Sequence, residues 1–260
     1  MNELRVALVA GASTAPGRAV AAELLRAGWS VFAQVQPGQQ ALDEPPAEPG
    51  DSASVGDSLV VFEGDLADET VRERFVEDAL EHFERIDLLV GPPPAALAAV
   101  DLLELGVERA LASLSAGALS AMALAQRTAN EMIRLIEGGT IDGGKIVLLG
   151  SLAAYTTSAD QGLACLNAAA IGMLTRLLAD RLGEYGINVY EIRAGLMATS
   201  RSEPSHAQYD RLIRDGLTPI RRWGRPADIA RAVAALADDA LAFSTGEVIN
   251  VDGGFHLRRL

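Results

Sequence analysis

The chain has 260 residues, of which 49% are hydrophobic and 22% are charged, a balance typical of a globular protein long enough to bury a substantial core. Its formal net charge of −13 argues against a nucleic acid or an anionic membrane surface as a partner, because both would repel it. The single cysteine, Cys165, excludes an internal disulfide and a metal site built on several thiolates.

The opening segment, MNELRVALVAG, lacks the basic and long apolar regions of a secretory signal. No uncharged apolar run approaches the ~18 residues of a membrane span. We therefore expect a cytoplasmic protein with no membrane partner.

Short apolar segments rich in Val, Ile and Leu alternate along the chain with helical segments. Successive apolar positions within each short segment indicate strands that are covered on both faces, as in a parallel sheet. The predicted strands, in chain order, are residues 4–10, 30–35, 59–62, 86–90, 145–149, 187–192 and 247–251.

The helical segments are bounded by residues that favour helix ends. Gly28 suits the left-handed conformation that follows a helix, Asp68 suits an N-cap, and Pro226 suits the first helical position. The predicted helices cover residues 17–27, 69–83, 103–136, 162–185 and 226–239. Strands that alternate with helices predict an α/β fold, namely a doubly wound Rossmann-type parallel sheet of about seven strands with helices on both faces.

Residues 37–58 interrupt this alternation. The segment contains Pro45, Pro46 and Pro49 together with several Gly, Ser and acidic residues, a composition that favours an irregular loop with at most a short helix. No shift in composition divides the chain, so residues 1–260 are predicted to form one domain.

A glycine-containing segment follows the first predicted strand, where residues 9–18 read VAGASTAPGR. It resembles the phosphate loop, TGxxxGxG, of the short-chain dehydrogenase/reductase family, in which the backbone approaches a pyrophosphate at a helix N-terminus. The resemblance extends over roughly residues 4–255. Its other segments are 64–66 (GDL), 86–90 (IDLLV), 144–151 (GKIVLLGS), 222–230 (RWGRPADIA) and 245–254 (TGEVINVDGG).

The resemblance implies a dinucleotide cofactor, NAD or NADP. On the matching positions, Gly11, Ser13 and Gly17 would contact it through the phosphate loop, and Asp65 would lie beside the adenine. Asn167 carries an amide that is able to hydrogen-bond a ribose. No position is predicted to bind a metal.

The family's proton-transfer pair, Tyr-x-x-x-Lys, is missing. Leu163 occupies the tyrosine position and Asn167 the lysine position, so neither a hydroxyl acid nor an ammonium group is supplied there. Ser151, the family's catalytic serine, is retained and is able to orient a carbonyl or to cap the strand end. Ser113 aligns with the family's asparagine, so the usual relay partner is also replaced.

The cofactor loops depart from the family pattern as well. Ala15 replaces the middle glycine of the phosphate loop, Val35 stands where an acidic residue holds the NAD ribose, and Thr14 stands where NADP-preferring relatives carry arginine. Gly91 is followed by three prolines instead of the family's Asn-Asn-Ala-Gly. These changes predict weakened or lost nucleotide binding.

Three functions remain open from the sequence. The first is a non-catalytic subunit that stabilises or regulates an active paralogue, since family members form dimers and tetramers; a homo-oligomer is the simpler form. The second is an NAD(P)-dependent oxidoreductase acting on a hydroxyl or keto substrate through a rearranged site, with Ser151 and Tyr155 as candidates and His206 and Tyr209 in the lid. The third is a module that senses a nucleotide or metabolite.

Overall fold

The computed structural model describes residues 4–40, 58–95, 97–199, 202 and 206–257. Within them, seven strands form one parallel sheet in the order β3-β2-β1-β4-β5-β6-β7, which confirms the predicted fold class. The strands are β1 (Val6–Val9), β2 (Ser30–Val35), β3 (Leu59–Glu63), β4 (Leu88–Val90), β5 (Gly144–Ser151), β6 (Ile187–Ala194) and β7 (Glu247–Val251).

The helices largely follow the predicted segments, with two differences. A helix over His206–Arg214 is not among the predicted ones. The segment predicted as one helix over 103–136 begins at Val107 and is interrupted by a π-helical turn over Ser115–Leu119. The described helices are α1 (Ala15–Arg26), α2 (Glu69–Phe83), α3 (Val107–Leu114), α4 (Ser120–Glu137), α5 (Gly162–Leu182), α6 (His206–Arg214) and α7 (Pro226–Ala237).

Each face of the sheet is covered by its own helices. Val6 and Leu8 of β1 belong to the core formed with α2, α4 and α5, whereas Ala7 and Val9 belong to the core formed with α1 and α7. This alternation explains why β1 and β4 are apolar at every position.

The predicted helix-end residues adopt the expected conformations. Gly28 has φ +81° directly after α1, and the Asp68 side chain accepts a hydrogen bond from Val71 N at 3.2 Å at the start of α2. Pro226 is the first residue of α7, where Asp228 accepts a hydrogen bond from Arg225 N at 2.8 Å.

The strand order reverses between β1 and β4, which opens a crevice at the carboxyl ends of these strands, the usual position for a ligand in such a sheet. Of the predicted irregular loop 37–58, residues 41–57 lie outside the described residues, and Gly38 lies in a turn with φ +74°.

Helix α5 is unusually apolar. Within the described chain, it is the helix that is long and apolar enough to cross a membrane, by length and composition only. A window within Gly162–Tyr185 has a mean hydropathy of 1.5, and 39% of that window is buried in the fold. Leu163, Ile171 and Leu178 on its buried side place it in the helical layer over the sheet. Leu166, Met173 and Leu177 of the same helix are exposed.

Candidate functional site

A cleft of about 470 Å³ lies at the crevice between the two halves of the sheet, a size that suits a small organic ligand. It is formed by the loop after β1, the loop after β4 and the ends of β5 and β6. Its described lining consists of Ser13, Thr14, Ala15, Pro16, Arg18, Gln39, Pro93, Pro94, Leu149, Gly150, Ser151, Leu152, Ile192, Ala194, Gly195, Leu196, Met197, Thr199, Ser202, Trp223 and Ile229.

The two retained glycines shape the phosphate loop. Gly11 has φ +72°, a conformation that L side chains rarely adopt. At Gly17, an added Cβ would lie 2.1 Å from Gly11 O, so the first turn of α1 packs directly on the loop backbone. Both glycines therefore build the loop, although neither is among the residues that line the cleft.

The N-terminus of α1 offers few hydrogen-bond donors. Its first three residues are Ala15, Pro16 and Gly17; Pro16 has no N–H, and Gly17 N donates to the Thr14 hydroxyl at 3.1 Å. Among the described hydrogen bonds, none gives an acceptor to the Ala15 N–H. The Thr14 hydroxyl thus caps the helix and accepts the N–H that would otherwise be available to an anion.

Gln34 is a site residue that the motif comparison missed. Its side chain is 1% exposed; Oε1 accepts from Gly11 N at 2.7 Å and Nε2 donates to Gly64 O at 2.6 Å. The amide thereby joins the loops after β1 and β3. A polar residue inside an otherwise apolar strand is the signal that could have identified it, because a buried amide needs partners.

The remaining predicted cofactor contacts have structural partners of their own. Asp65 is exposed, accepts from Ala67 N at 3.0 Å and does not line the cleft. Ser13 does line it, with Oγ 3.4 Å from Gln36 N. Val35, at the position where an acidic residue would hold a ribose, is 1% exposed.

The proline loop after β4 leans on the phosphate loop. A Cβ built on Gly11 would lie 2.6 Å from Pro93 Cδ, which shows that the ring packs on the glycine backbone. Gly91 N is already bonded to Val147 O at 2.8 Å, and the next three residues have no N–H. The loop therefore presents rings to the cleft through Pro93 and Pro94.

The positions of the missing proton-transfer pair are filled by structural side chains. Leu163 is 3% exposed and belongs to the buried face of α5. Asn167 Oδ1 accepts from Ala118 N at 3.0 Å, and Nδ2 donates to Ser113 Oγ and to Leu163 O, each at 3.0 Å. The two predicted replacements, Ser113 and Asn167, are thus bonded to each other.

This bonding accompanies the π-helical turn. Ala118 lies within Ser115–Leu119, and an added Cβ at Gly117 would lie 2.2 Å from Asn167 Oδ1. The glycine therefore lets the amide approach the widened turn. Neither Asn167 nor Leu163 is among the cleft-lining residues.

Ser151 and Tyr155, the candidates for a rearranged site, are placed differently. Ser151 lines the cleft and its Oγ accepts from Ala153 N at 3.3 Å, so both expected roles, facing the cleft and capping the strand end, are compatible with its position. Tyr155 does not line the cleft, and its hydroxyl donates to Asp252 Oδ2 at 2.7 Å.

Tyr155 belongs to a polar group at the end of β7. Burial raises the pKa of its hydroxyl, and the hydrogen bond to Asp252 raises this pKa further. Burial alone would raise the pKa of Asp252, but the hydrogen bonds from Tyr155 and His256 lower it. Such a tyrosine holds its proton and is a poor acid near neutral pH.

A buried ion pair next to this group was also missed from the sequence. Glu191 is fully buried, and both of its oxygens accept from Arg193 at 2.8 and 2.9 Å. Added Cβ atoms would lie 2.2 Å from Glu191 Oε1 at Gly150 and 2.7 Å from Arg193 Nη2 at Gly172. Two charges at i and i+2 of an apolar strand are the signal, since they share one face of the sheet.

The lid residues named from the sequence lie beside the cleft entrance. His206 Nε2 is 2.9 Å from Ser202 Oγ, and the His206 and Tyr209 rings contact Trp223 with centroids 4.6 and 6.2 Å apart. Trp223 Nε1 donates to Asp210 at 2.7 Å. Within the described part of the chain, no group of three His, Cys, Asp or Glu side chains is arranged to hold a metal ion.

The residues present do not fit a dinucleotide in the way that the family pattern implies. A pyrophosphate needs several donors at the start of the first helix, and here Pro16 supplies none while Thr14 occupies that of Gly17. The positions of the tyrosine and lysine contribute no group to the cleft.

Comparison with known proteins places the chain among dehydrogenases and reductases. A family model described as enoyl-(acyl carrier protein) reductase matches residues 11–256. An L-rhamnose 1-dehydrogenase (NAD(P)(+)) of a Sphingomonas species is 28% identical over 98% of this chain and 97% of its own length. A 3-oxoacyl-[acyl-carrier-protein] reductase of Synechocystis is 27% identical over 96% of each chain.

A solved structure gives the same result. The 3-oxoacyl-[acyl-carrier protein] reductase of Brucella melitensis, in complex with NAD, is similar over 100% of both chains with a TM-score of 0.85 and 27% identity. NAD(P) is therefore a cofactor of this group of proteins.

Proposed function

The chain belongs to the short-chain dehydrogenase/reductase family, and we propose that it is a non-catalytic member that acts as a subunit beside an active paralogue. The observation that carries the proposal is the replacement of the family's acid and ammonium by Leu163 and Asn167. Leu163 is buried, and both polar atoms of the Asn167 amide are used within the fold.

Neither of the two candidates for a rearranged site, Tyr155 and Ser151, takes over the role of the missing acid. The Tyr155 hydroxyl donates a hydrogen bond to Asp252, and the pKa of this hydroxyl is raised. Ser151 faces the cleft, but a serine hydroxyl without an adjacent base is a weak proton donor and a weak nucleophile. Ser151 is therefore able to orient a carbonyl in the cleft, whereas neither Ser151 nor Tyr155 is suited to protonate it.

An exposed apolar surface supports the subunit role. Helix α3 has no buried residue of its own and packs on α5. Leu166, Met173 and Leu177 lie on one face of α5 at helical spacing and are 47%, 54% and 61% exposed, while Val107 and Leu111 of α3 are 75% and 59% exposed. An apolar surface of this kind is typical of an interface between subunits.

The test is co-purification at native expression level from cells that contain related dehydrogenases. We expect a complex with a family member and no turnover by the chain alone. The double variant Met173→Glu/Leu177→Glu should release the partner, whereas Leu4→Glu, an exposed apolar position on another surface, should retain it. A strictly monomeric chain would contradict the proposal.

A second candidate is an NAD(P)-dependent oxidoreductase with a rearranged site. The comparisons favour this candidate over the first, because the relatives described above are dehydrogenases or reductases by name, and Ser151 lines the cleft. Its substrate would carry a hydroxyl or keto group. A cytoplasmic location agrees with either candidate and stays a prediction.

The second candidate is tested with a panel of ketones, alcohols and acyl thioesters and both nicotinamides. Turnover that is lost in Ser151→Ala would establish a rearranged site. A rate that is unchanged in both Ser151→Ala and Tyr155→Phe would remove these residues from the reaction.

A further inference from the structure

We propose that the cleft binds an apolar molecule with a single anionic group, in place of a dinucleotide. The departures from the family pattern leave the cleft with few N–H donors, one positive charge and mainly apolar walls. Each of these features disfavours a pyrophosphate. The inference concerns binding alone, so it does not depend on whether the chain has a paralogue, but it excludes the NAD(P)-dependent candidate described above.

The start of α1 offers few N–H donors to a pyrophosphate. Of the first three residues of α1, Pro16 has no N–H and the Gly17 N–H is engaged by the Thr14 hydroxyl. The Thr14 hydroxyl also donates to Gly11 O at 2.8 Å, which fixes it in the capping position. Of these three residues only Ala15 has an N–H left to meet an anion, so the helix N-terminus offers one donor where a pyrophosphate needs several.

The described lining of the cleft carries one positive charge. Arg18 is the one charged residue among the described residues that line the cleft. One of its guanidinium nitrogens donates to Ser13 O, and the remaining N–H groups of the five-donor fork are able to meet a carboxylate or sulfonate. A single arginine matches one negative charge, whereas the pyrophosphate of NAD carries two and NADP carries a further phosphate.

The walls of the cleft are mainly apolar. Pro93 packs on Gly11, so a proline ring covers the first glycine of the phosphate loop. The prolines and the strand ends give the cleft a mainly apolar lining, which consists of Ala15, Pro16, Pro93, Pro94, Leu149, Leu152, Ile192, Ala194, Leu196, Met197, Trp223 and Ile229. Such walls favour an apolar body through the burial of its surface, with the anionic group directed to Arg18.

Trp223 supplies the signal for a test. It lines the cleft, whereas the other tryptophan, Trp29, is 2% exposed and belongs to the core. The probe is 8-anilinonaphthalene-1-sulfonate, which has an apolar body and one sulfonate and accepts energy from tryptophan. We expect saturable energy transfer to the probe, displacement by decanoate, and a lower total energy-transfer signal in Trp223→Phe.

The charge argument is tested with Arg18→Met. This variant should weaken decanoate binding about tenfold, the effect of one charge-assisted hydrogen bond. Arg26→Met, on the same helix and outside the cleft, is the matched control and should bind decanoate as the parent does. Equal binding by both variants, or no displacement by decanoate, would overturn the proposed ligand class.

Nucleotides complete the test. NADH and NADPH should fail to displace the probe at millimolar concentration, and displacement at micromolar concentration would overturn the inference while leaving the proposed lack of turnover intact. Thr14→Val/Pro16→Ile restores two N–H donors, so it should bind NADH at least about tenfold more tightly than the parent. A folded double variant without this gain would contradict the donor argument.

Discussion

Asn167 illustrates how a position associated with catalysis becomes part of the scaffold. In the family pattern this position carries an ammonium group, whereas the amide here bonds to Ala118 N, Ser113 Oγ and Leu163 O. The three partners come from two different parts of the chain, and Ala118 is 4% exposed. Loss of the amide would leave a buried N–H without a partner, which is costly.

We therefore expect Asn167→Ala to lower the free energy of unfolding by about 1–3 kcal/mol, measured by urea denaturation. Asn130→Ala, an exposed asparagine of α4, is the matched control and should change it by less than about 0.5 kcal/mol. Similar values for the two variants would show that the Asn167 bonds do not stabilise the π-helical turn.

Gly17 carries a second expectation at the residue scale. Because its missing Cβ would lie 2.1 Å from Gly11 O, Gly17→Ala should destabilise the protein by about 3 kcal/mol, as measured by thermal unfolding. Gly106→Ala, where an added Cβ meets nothing within 4 Å, should be close to neutral. A neutral Gly17→Ala would mean that the phosphate loop moves away from the helix at little cost.

Individual residues differ in how far the sequence predicts them. The motif register identifies Leu163 and Asn167 as replacements, because α5 is continuous and fixes their spacing. It does not identify the partners of Asn167, since Ala118 and Ser113 are 49 and 54 positions away. Gln34 was missed for the same reason: its role arises from contacts with Gly11 and Gly64, which only the folded sheet brings together.

At the scale of elements, the apolar pattern predicts all seven strands, because strands buried on both faces leave a clear signal. The long helix predicted over 103–136 is divided by the π-helical turn Ser115–Leu119. The alanine-rich sequence contains no proline there, and Ala118 and Gly117 of the turn both contact Asn167. Tertiary contacts of this kind are not readable from periodicity.

The N-terminus of α7 gives an expectation that depends on pH. The hydrogen bonds from Arg222 and Arg225 N lower the pKa of Asp228 from 3.8 to about 2. A depressed pKa in the folded protein stabilises it above the ordinary pKa, and this contribution is lost as the pH falls toward 2. Because Arg222 is half exposed, we expect a contribution of about 1 kcal/mol.

Urea unfolding of Asp228→Asn and of the parent should therefore differ at pH 6 and converge between pH 4 and pH 2. Asp180→Asn, an exposed carboxylate of α5, is the control and should differ from the parent by less than about 0.5 kcal/mol at each pH. A difference for Asp228→Asn that does not shrink on acidification would assign the effect to packing instead of charge.

The whole molecule combines a preserved fold with an altered cleft. The sheet order and both cores are intact, and the fold is similar to that of a 3-oxoacyl-[acyl-carrier protein] reductase over its full length. The departures from the family pattern lie at one crevice, where Thr14, Pro16 and Pro93 make the site less suited to bind a pyrophosphate. The exposed apolar residues of α5 form the surface at which the proposed contact with another subunit would lie.

The most direct measurement is the rate of NAD(P)H oxidation by the purified chain over a panel of ketones and acyl thioesters. With an alkyl side chain and a fully bonded amide in place of the tyrosine and lysine, we expect no rate above the uncatalysed reaction for any substrate. A substrate that is turned over, with the rate abolished by Ser151→Ala, would contradict the account.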